Sequence, residues 1–179
     1  DHYFVALIKP QFELGKTYMK NGIVKDRRLH IYLPAGYDES DERYPVMYFF
    51  DGHNLFYDED ATYGKSWGMK SCLDKCGKNL IVVGIECGHE NDERLSEYLP
   101  YKPSRGYFSK YEATGEQTMQ WLINEVKPYI DTTYRTCPFR ECTGVGGSSM
   151  GGLMALYAVT HHNQWFSKAA CISSAVGHC

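Results

Sequence analysis

The sequence predicts an α/β protein whose central, mostly parallel sheet is covered by helices on both faces. Two near-continuous apolar runs, residues 44–50 and 79–85, are typical of strands buried on both sides. Residues 115–129 carry apolar side chains at helical spacing. Residues 143–146 indicate a further strand, which leads through glycines into an apolar helix at 153–159. Strands that alternate with helices favour this architecture over an all-β or all-α one.

The remaining elements follow from local signals. Asn21-Gly22 is a hairpin turn signal, so we expect residues 14–20 and 28–33 to pair antiparallel around it. Pro128 falls late in the 115–129 helix and is expected to kink or end it. The long polar segment 88–106 is typical of a functional loop. We also expect a helix over 66–76 and a last strand over 166–173.

Composition limits the class of protein and its partners. The chain has 179 residues, and we interpret residues 1–179 as a single domain. With 43% hydrophobic and 23% charged residues and a net charge of −3, nothing suggests a nucleic-acid or membrane partner. The N-terminal apolar stretch lacks the features of a signal peptide. Seven irregularly spaced cysteines favour a reduced, cytoplasmic setting, and secretion with a Cys137–Cys142 bridge stays open as the alternative.

One Gly-x-Ser-x-Gly motif, Gly147-Ser148-Ser149-Met150-Gly151, lies between the predicted strand and helix. A serine on such a turn projects its hydroxyl above the sheet as a nucleophile, in the nucleophile elbow. Ser148 does not fit the motif, because residues 146 and 150 around it are glycine and methionine. We therefore predict Ser149 as the nucleophile.

A serine nucleophile of this kind attacks an acyl carbonyl, and N–H donors must then stabilise the carbonyl oxygen as it becomes negative, the oxyanion. The residue after the nucleophile, Met150, supplies one, because its N–H opens a helix. Asp51-Gly52-His53-Asn54 follows the 44–50 strand, and we assign the second donor to the His53 amide, with Asn54 beside it. The alternative is an ordinary β-to-α turn.

Four blocks in order, residues 28–37, 44–56, 94–98 and the elbow, give a family resemblance. With them the chain resembles the putative esterase family of the α/β-hydrolases, which includes esterase-D, feruloyl, acetylxylan and enterochelin esterases. The resemblance implies an α/β-hydrolase fold and an ester hydrolase without a large lid domain. In that family the triad acid and histidine follow later strands, so we expect both beyond residue 179, with the C-terminal strands absent from this chain. His178 is the one substitute base by position, and a loop role fits it better.

Pocket, metal and partner assignments are weaker. Asn54, Trp67 and Tyr98 are predicted to contact substrate, with Tyr101 as a further candidate. Arg94 and Glu97 are expected to pair with each other and stabilise the loop. Cys72-x-x-x-Cys76 and Asp58-Glu59-Asp60 lack a complete ligand pattern, so no metal site and no cofactor are assigned.

The sequence thus predicts a serine carboxylic-ester hydrolase that acts through an acyl-enzyme on feruloyl or acetyl esters of plant polysaccharide. An enterochelin-type esterase, an S-formylglutathione hydrolase and a noncatalytic binding module with this fold are the alternatives. Homo-oligomerisation and association with a C-terminal fragment of the same protein stay open.

Overall fold

A computed structural model describes residues 3–8 and 27–176 of the chain. These form a six-stranded sheet of order β1-β2-β4-β3-β5-β6. The strands are β1 (Tyr3–Ile8), β2 (Arg27–Tyr32), β3 (Val46–Phe50), β4 (Ile81–Ile85), β5 (Thr143–Ser148) and β6 (Lys168–Ile172).

The predicted parallel sheet is confirmed for β4, β3, β5 and β6. The first two strands differ from the predicted hairpin. β2 pairs antiparallel with β1 on one side and with β4 on the other. Residues 14–20, the predicted partner of β2, lie outside the described residues.

Helices cover the sheet and connect its strands. They are α1 (Met69–Cys76), α2 (Glu93–Glu97), α3 (Gly115–Trp121), α4 (Lys127–Thr133) and α5 (Met150–His161), with short 3₁₀ turns at Tyr37–Glu39, Gly52–Asn54, Tyr107–Lys110 and Arg140–Cys142. The predicted long loop thus contains α2. In the part of the chain that the structure describes, no helix has the length and apolar character needed to cross a membrane.

Of the two expected effects of Pro128, a kink or an end, the helix does not end there but is distorted directly before the proline. A π-helical segment, Leu122–Val126, joins α3 to α4, and the Lys127 N–H donates to the Leu122 carbonyl. A regular α-helix would press the proline ring against the carbonyl four residues earlier. The wider π turn directly before Pro128 offers a way to accommodate the ring, and the helix continues to residue 133.

The two faces of the sheet bury different clusters. Val46, Tyr48 and Phe50 of β3 point to the larger cluster, which α3, α4 and α5 cover. Met47 and Phe49 point the other way, toward a smaller cluster that Met69 and Leu73 of α1 reach. This alternation is the period-two pattern of a strand buried on both sides. It confirms the predicted helices on both faces.

Candidate active site

Ser149 occupies a strained turn between β5 and α5. Its backbone has φ 56° and ψ −117°, outside the regions that non-glycine residues favour. The Ser149 N–H donates to the Ile172 carbonyl at 3.0 Å, and the Ala175 N–H donates to the Ser149 carbonyl at 3.1 Å. These bonds tie the turn to the end of β6 and leave the Ser149 side chain exposed.

The motif glycines allow neighbouring segments to approach closely. A Cβ on Gly147 would lie 2.4 Å from the carbonyl carbon and oxygen of Gly151. A Cβ on Gly151 would come within 3.1 Å of Phe50 and 3.2 Å of the Asp51 carboxylate. β5 and α5 therefore approach too closely for a side chain at Gly147, and Gly151 packs tightly against the end of β3. The geometry is that of the predicted elbow, with Ser149 rather than Ser148 at the strained position.

Met150 is the first residue of α5 and is 2% exposed. The N–H groups in the first turn of a helix have no partner within the helix. The Met150 amide is therefore available beside Ser149, as the oxyanion assignment requires.

The turn after β3 is equally constrained. Asp51 has φ 59° and ψ 45°, a left-handed conformation. A Cβ on Gly52 would lie 2.2 Å from the carbonyl carbon of Gly84, so only glycine fits against β4. The 3₁₀ turn's own bonds start with the Asn54 N–H to the Asp51 carbonyl at 3.0 Å. The His53 N–H precedes that first bonded donor, and its role in an oxyanion hole stays a prediction.

Asp51 is fixed by side chains from the segment around α2. Arg94 donates from Nε to Asp51 Oδ1 and from Nη2 to Oδ2, both at 2.7 Å. The Asp51 N–H donates to the Tyr98 hydroxyl at 3.0 Å. Burial alone would lower the pKa of Arg94, but the Asp51 carboxylate raises it above its usual value. This bidentate pair orients the start of the candidate oxyanion turn.

Two sequence-based assignments are corrected by these contacts. Arg94 and Glu97 do not pair with each other: Arg94 binds Asp51, and Glu97 forms an ion pair with Arg27. Both residues still stabilise the segment. Arg94 does so through its bonds to Asp51, and Glu97 also accepts a hydrogen bond from the Gly88 N–H at 2.8 Å. Tyr98 is 1% exposed, contacts Asp51 from the core and does not line the cleft that contains Ser149.

A cleft of about 480 Å³ lies at the carboxyl ends of the parallel strands, where ligands bind in open α/β sheets. Predicted residues Ser149, His53, Asn54 and Trp67 line it, and Tyr101 and Met150 are outside the lining set. Trp67 is 38% exposed and packs edge-on against Phe49 with ring centroids 6.4 Å apart. The remaining residues that line the cleft are Asp51, Thr62, Tyr63, Lys65, Cys87, Gly88, His89, Asp92, Arg94, Leu95 and Ser148.

Within the described residues, no imidazole or carboxylate hydrogen-bonds to the Ser149 hydroxyl. His161 bonds to Tyr101 at 2.6 Å, and His162 lies 3.0 Å from Glu116. His178, the positional substitute, lies outside the described residues. Within the described part of the chain, the candidate nucleophile Ser149 therefore has no base in hydrogen-bond contact.

His53 has an unusual environment. Its Nε2 lies 2.9 Å from Thr62 Oγ1 and 3.1 Å from Asn54 Nδ2, and its Nδ1 is buried without a hydrogen-bond partner. Burial lowers the pKa of His53, against the opposite effect of Asp51. Sequence reasoning used only its amide and gave no role to the ring.

One cluster was missed by sequence reasoning. His53, Cys87 and His89 place a ring nitrogen, a thiol and a second ring nitrogen within 4.8 Å of one another, a set that is able to ligate a metal ion. The available signal was Cys87-x-His89 directly after a buried strand that neighbours the strand before His53.

Comparison with known proteins gives the family. A family described as "Putative esterase" matches residues 21–179. The chain is 25% identical over 150 residues to the uncharacterized protein YbbA of Bacillus subtilis, covering 83% of the chain and 56% of that protein. It is 28% identical over 149 residues to an endo-1,4-beta-xylanase/feruloyl esterase of Xylanibacter ruminicola, covering 76% of the chain and 18% of that protein.

Among solved structures, an IroE-like serine hydrolase from Shewanella oneidensis matches with a TM-score of 0.73 at 23% identity. That match covers 97% of this chain and 51% of the other. The chain thus spans about half the length of the Bacillus subtilis protein and of the Shewanella oneidensis hydrolase. The structural match supports the α/β-hydrolase fold. Since the family match extends over most of the sequence, the chain belongs to the Putative esterase family.

Proposed function

We propose that this protein is a serine carboxylic-ester hydrolase that works through an acyl-enzyme, with Ser149 as its nucleophile. The observation that carries the proposal is the strained, exposed Ser149 at the N-terminus of α5, in a cleft shared with the turn after β3. Membership of an esterase family supports the reaction class.

In the proposed reaction, Ser149 Oγ attacks the ester carbonyl while a base accepts its proton. The oxygen that becomes negative is stabilised by the Met150 and His53 amides. Removing one such donor typically costs about 10²–10³ in kcat. The alcohol leaves with a proton from the base, and water then releases the acid. We place the base and its orienting carboxylate beyond residue 179.

For the substrate, we propose an aromatic acyl ester of the feruloyl class, with acetyl esters as the smaller alternative. The exposed Trp67 ring in the cleft offers an aromatic surface for a phenolic acid. A relative whose name includes feruloyl esterase points in the same direction.

Fluorophosphonate labelling with peptide mass spectrometry tests the nucleophile. It is applied to the 179-residue chain and to the product of its gene read beyond Cys179. Label is expected at Ser149 in the longer product, absent in Ser149→Ala and retained in the matched control Ser148→Ala. A folded longer product that takes no label, or takes it at Ser148, would overturn the proposal and favour a noncatalytic module.

Methyl ferulate, acetylated xylan, S-formylglutathione and enterochelin together test the substrate. We expect the highest kcat/KM on methyl ferulate, and a loss of about three- to tenfold on that ester in Trp67→Ala. Acetylated xylan serves as the control, since its acyl group is too small to stack. Equal losses on both, or a preference for enterochelin or S-formylglutathione, would reject the feruloyl assignment.

A further inference from the structure

The topology of the sheet brings three metal-ligating side chains together. β3 and β4 are parallel neighbours, with Phe50 paired to Ile85 at their ends. His53 lies three residues beyond Phe50. Cys87 lies two residues beyond Ile85, and His89 lies four residues beyond it. The ligand atoms of these three side chains lie within 4.8 Å of one another.

Two of the three side chains are buried, which distinguishes the cluster from a chance surface group. His53 is 5% and Cys87 is 3% exposed. The His53 and His89 rings meet edge to face with centroids 4.8 Å apart. His89 remains exposed, so it can change its rotamer without disturbing the core.

The unpartnered Nδ1 of His53 is the second observation. A buried polar atom without a partner is unfavourable, because it has lost water and gained no hydrogen bond, and a bound metal ion would satisfy it. Thr62 Oγ1 lies 2.9 Å from Nε2 and is able to accept a hydrogen bond from an Nε2–H group. In that tautomer Nδ1 carries no hydrogen, so its lone pair is free for a ligand. A second partner that orients the ring in this way is typical of metal-bound histidine. The Asn54 amide, 3.1 Å from Nε2, would have to turn away in that tautomer.

We propose that His53 Nδ1, the Cys87 thiolate and one ring nitrogen of His89 bind a Zn²⁺ ion in the cleft. One thiolate with two imidazoles is a donor set that selects zinc over magnesium or calcium. Tetrahedral zinc requires its ligand atoms to lie about 3.3–3.7 Å apart, as zinc–sulfur and zinc–nitrogen bond lengths dictate. The ligand atoms lie within 4.8 Å of one another and must move closer to bind zinc, and the exposed His89 ring can contribute to that movement by changing its rotamer.

Binding forms a zinc–sulfur bond and breaks the Cys87 S–H bond, and the proton leaves to solvent. Burial first, and then the Asp51 carboxylate, raise the pKa of Cys87 to about 12, so the metal-free thiol is protonated. The Glu86 carboxylate, 3.5 Å from His89 Nε2, is placed to orient that second imidazole. The fourth zinc position is left to water or another small ligand.

Cobalt titration tests this site without using catalytic activity. Co²⁺ bound to a thiolate gives a near-ultraviolet charge-transfer band, so we expect one such band per chain, displaced by Zn²⁺. Cys87→Ser should abolish the band. His89→Ala, at an exposed position, should weaken Co²⁺ affinity at least about tenfold while circular dichroism stays unchanged.

Two pairs of other cysteines supply the controls. The pairs Cys72 with Cys76 and Cys137 with Cys142 are also thiols in the structure, so each is replaced by serine in turn. The band should survive both replacements. Absence of a band at millimolar Co²⁺, or its loss in either control, would overturn the proposal. If Cys87→Ser fails to fold, an unchanged affinity in His89→Ala overturns it equally.

Discussion

The turns after β3 and β5 each contain a non-glycine residue with positive φ, and the two turns are held in place by different means. Asp51 and Ser149 are both non-glycine residues with positive φ, 59° and 56°. Asp51 is held by side chains distant in sequence, Arg94 and Tyr98. Ser149 is held by backbone hydrogen bonds and by glycines within a few residues of it.

This difference shows that two halves of one candidate site have different requirements. The sequence motif of the elbow is local, because its glycines lie within two residues of Ser149, and its contacts to the end of β6 are made by backbone groups. The β3 turn needs a charged partner, Arg94, which lies 43 residues away in the sequence. The two turns should therefore fail independently when each support is removed.

The largest expected effect is on the β3 turn. Arg94→Met leaves the Asp51 carboxylate, whose side chain is 4% exposed, without its charged partner. Stranding a buried charge typically costs several kcal/mol, so the free energy of unfolding should fall by about 3 kcal/mol. Hydrogen exchange should accelerate at amides 51–54 and stay unchanged at 149–153.

The matched control for that variant is Arg94→Lys, which keeps the charge and loses the bidentate geometry. Its loss should be smaller than that of Arg94→Met. Equal acceleration of exchange at both turns would show that they are coupled rather than independent.

A smaller effect is expected at the elbow. Gly147→Ala places a methyl group 2.4 Å from the Gly151 backbone, which has no flexible end to move. We expect a loss of about 2 kcal/mol from this overpacking, with faster exchange at 149–153 and none at 51–54. Urea unfolding and exchange mass spectrometry measure both.

Gly144→Ala in the same strand is the control, since its new methyl group meets the Met47 thioether, which can rotate away. A cost equal to that of Gly147→Ala would contradict the role assigned to close backbone packing at the elbow.

The smallest effect concerns pH, which acts on one turn only. In the metal-free protein, burial lowers the pKa of folded His53 below its ordinary value of 6.5. As pH falls through that value the unfolded chain binds the extra proton first, so protonation favours unfolding. The free energy of unfolding should therefore drop more between about pH 7 and pH 5 in the wild type than in His53→Gln.

Residues 147–152 of the elbow contain no titratable side chain, so the elbow makes no such contribution. Thermal unfolding across this range checks the difference, and identical pH dependence in the two proteins would rule out the assigned effect of His53.

Much of the fold and the elbow could be predicted because their signals are local. The runs around β3 and β4 are apolar on both faces, and the glycines at 147 and 151 mark a close crossing. The partner of β2 could not be predicted, because strand pairing depends on which distant segment fills each sheet edge. Likewise, charge and spacing suggested an Arg94–Glu97 pair, and the fold assigned each residue a different partner.

The sequence by itself determined the α/β class, the elbow and Ser149 as its strained residue, because backbone geometry at glycines and buried strands is encoded within a few neighbouring residues. Only the tertiary structure decided that Tyr98 supports Asp51 from the core and that His53, Cys87 and His89 meet in the cleft. Those relations arise where parallel strands end side by side. The separation of these residues along the sequence does not indicate how close they lie in the folded structure.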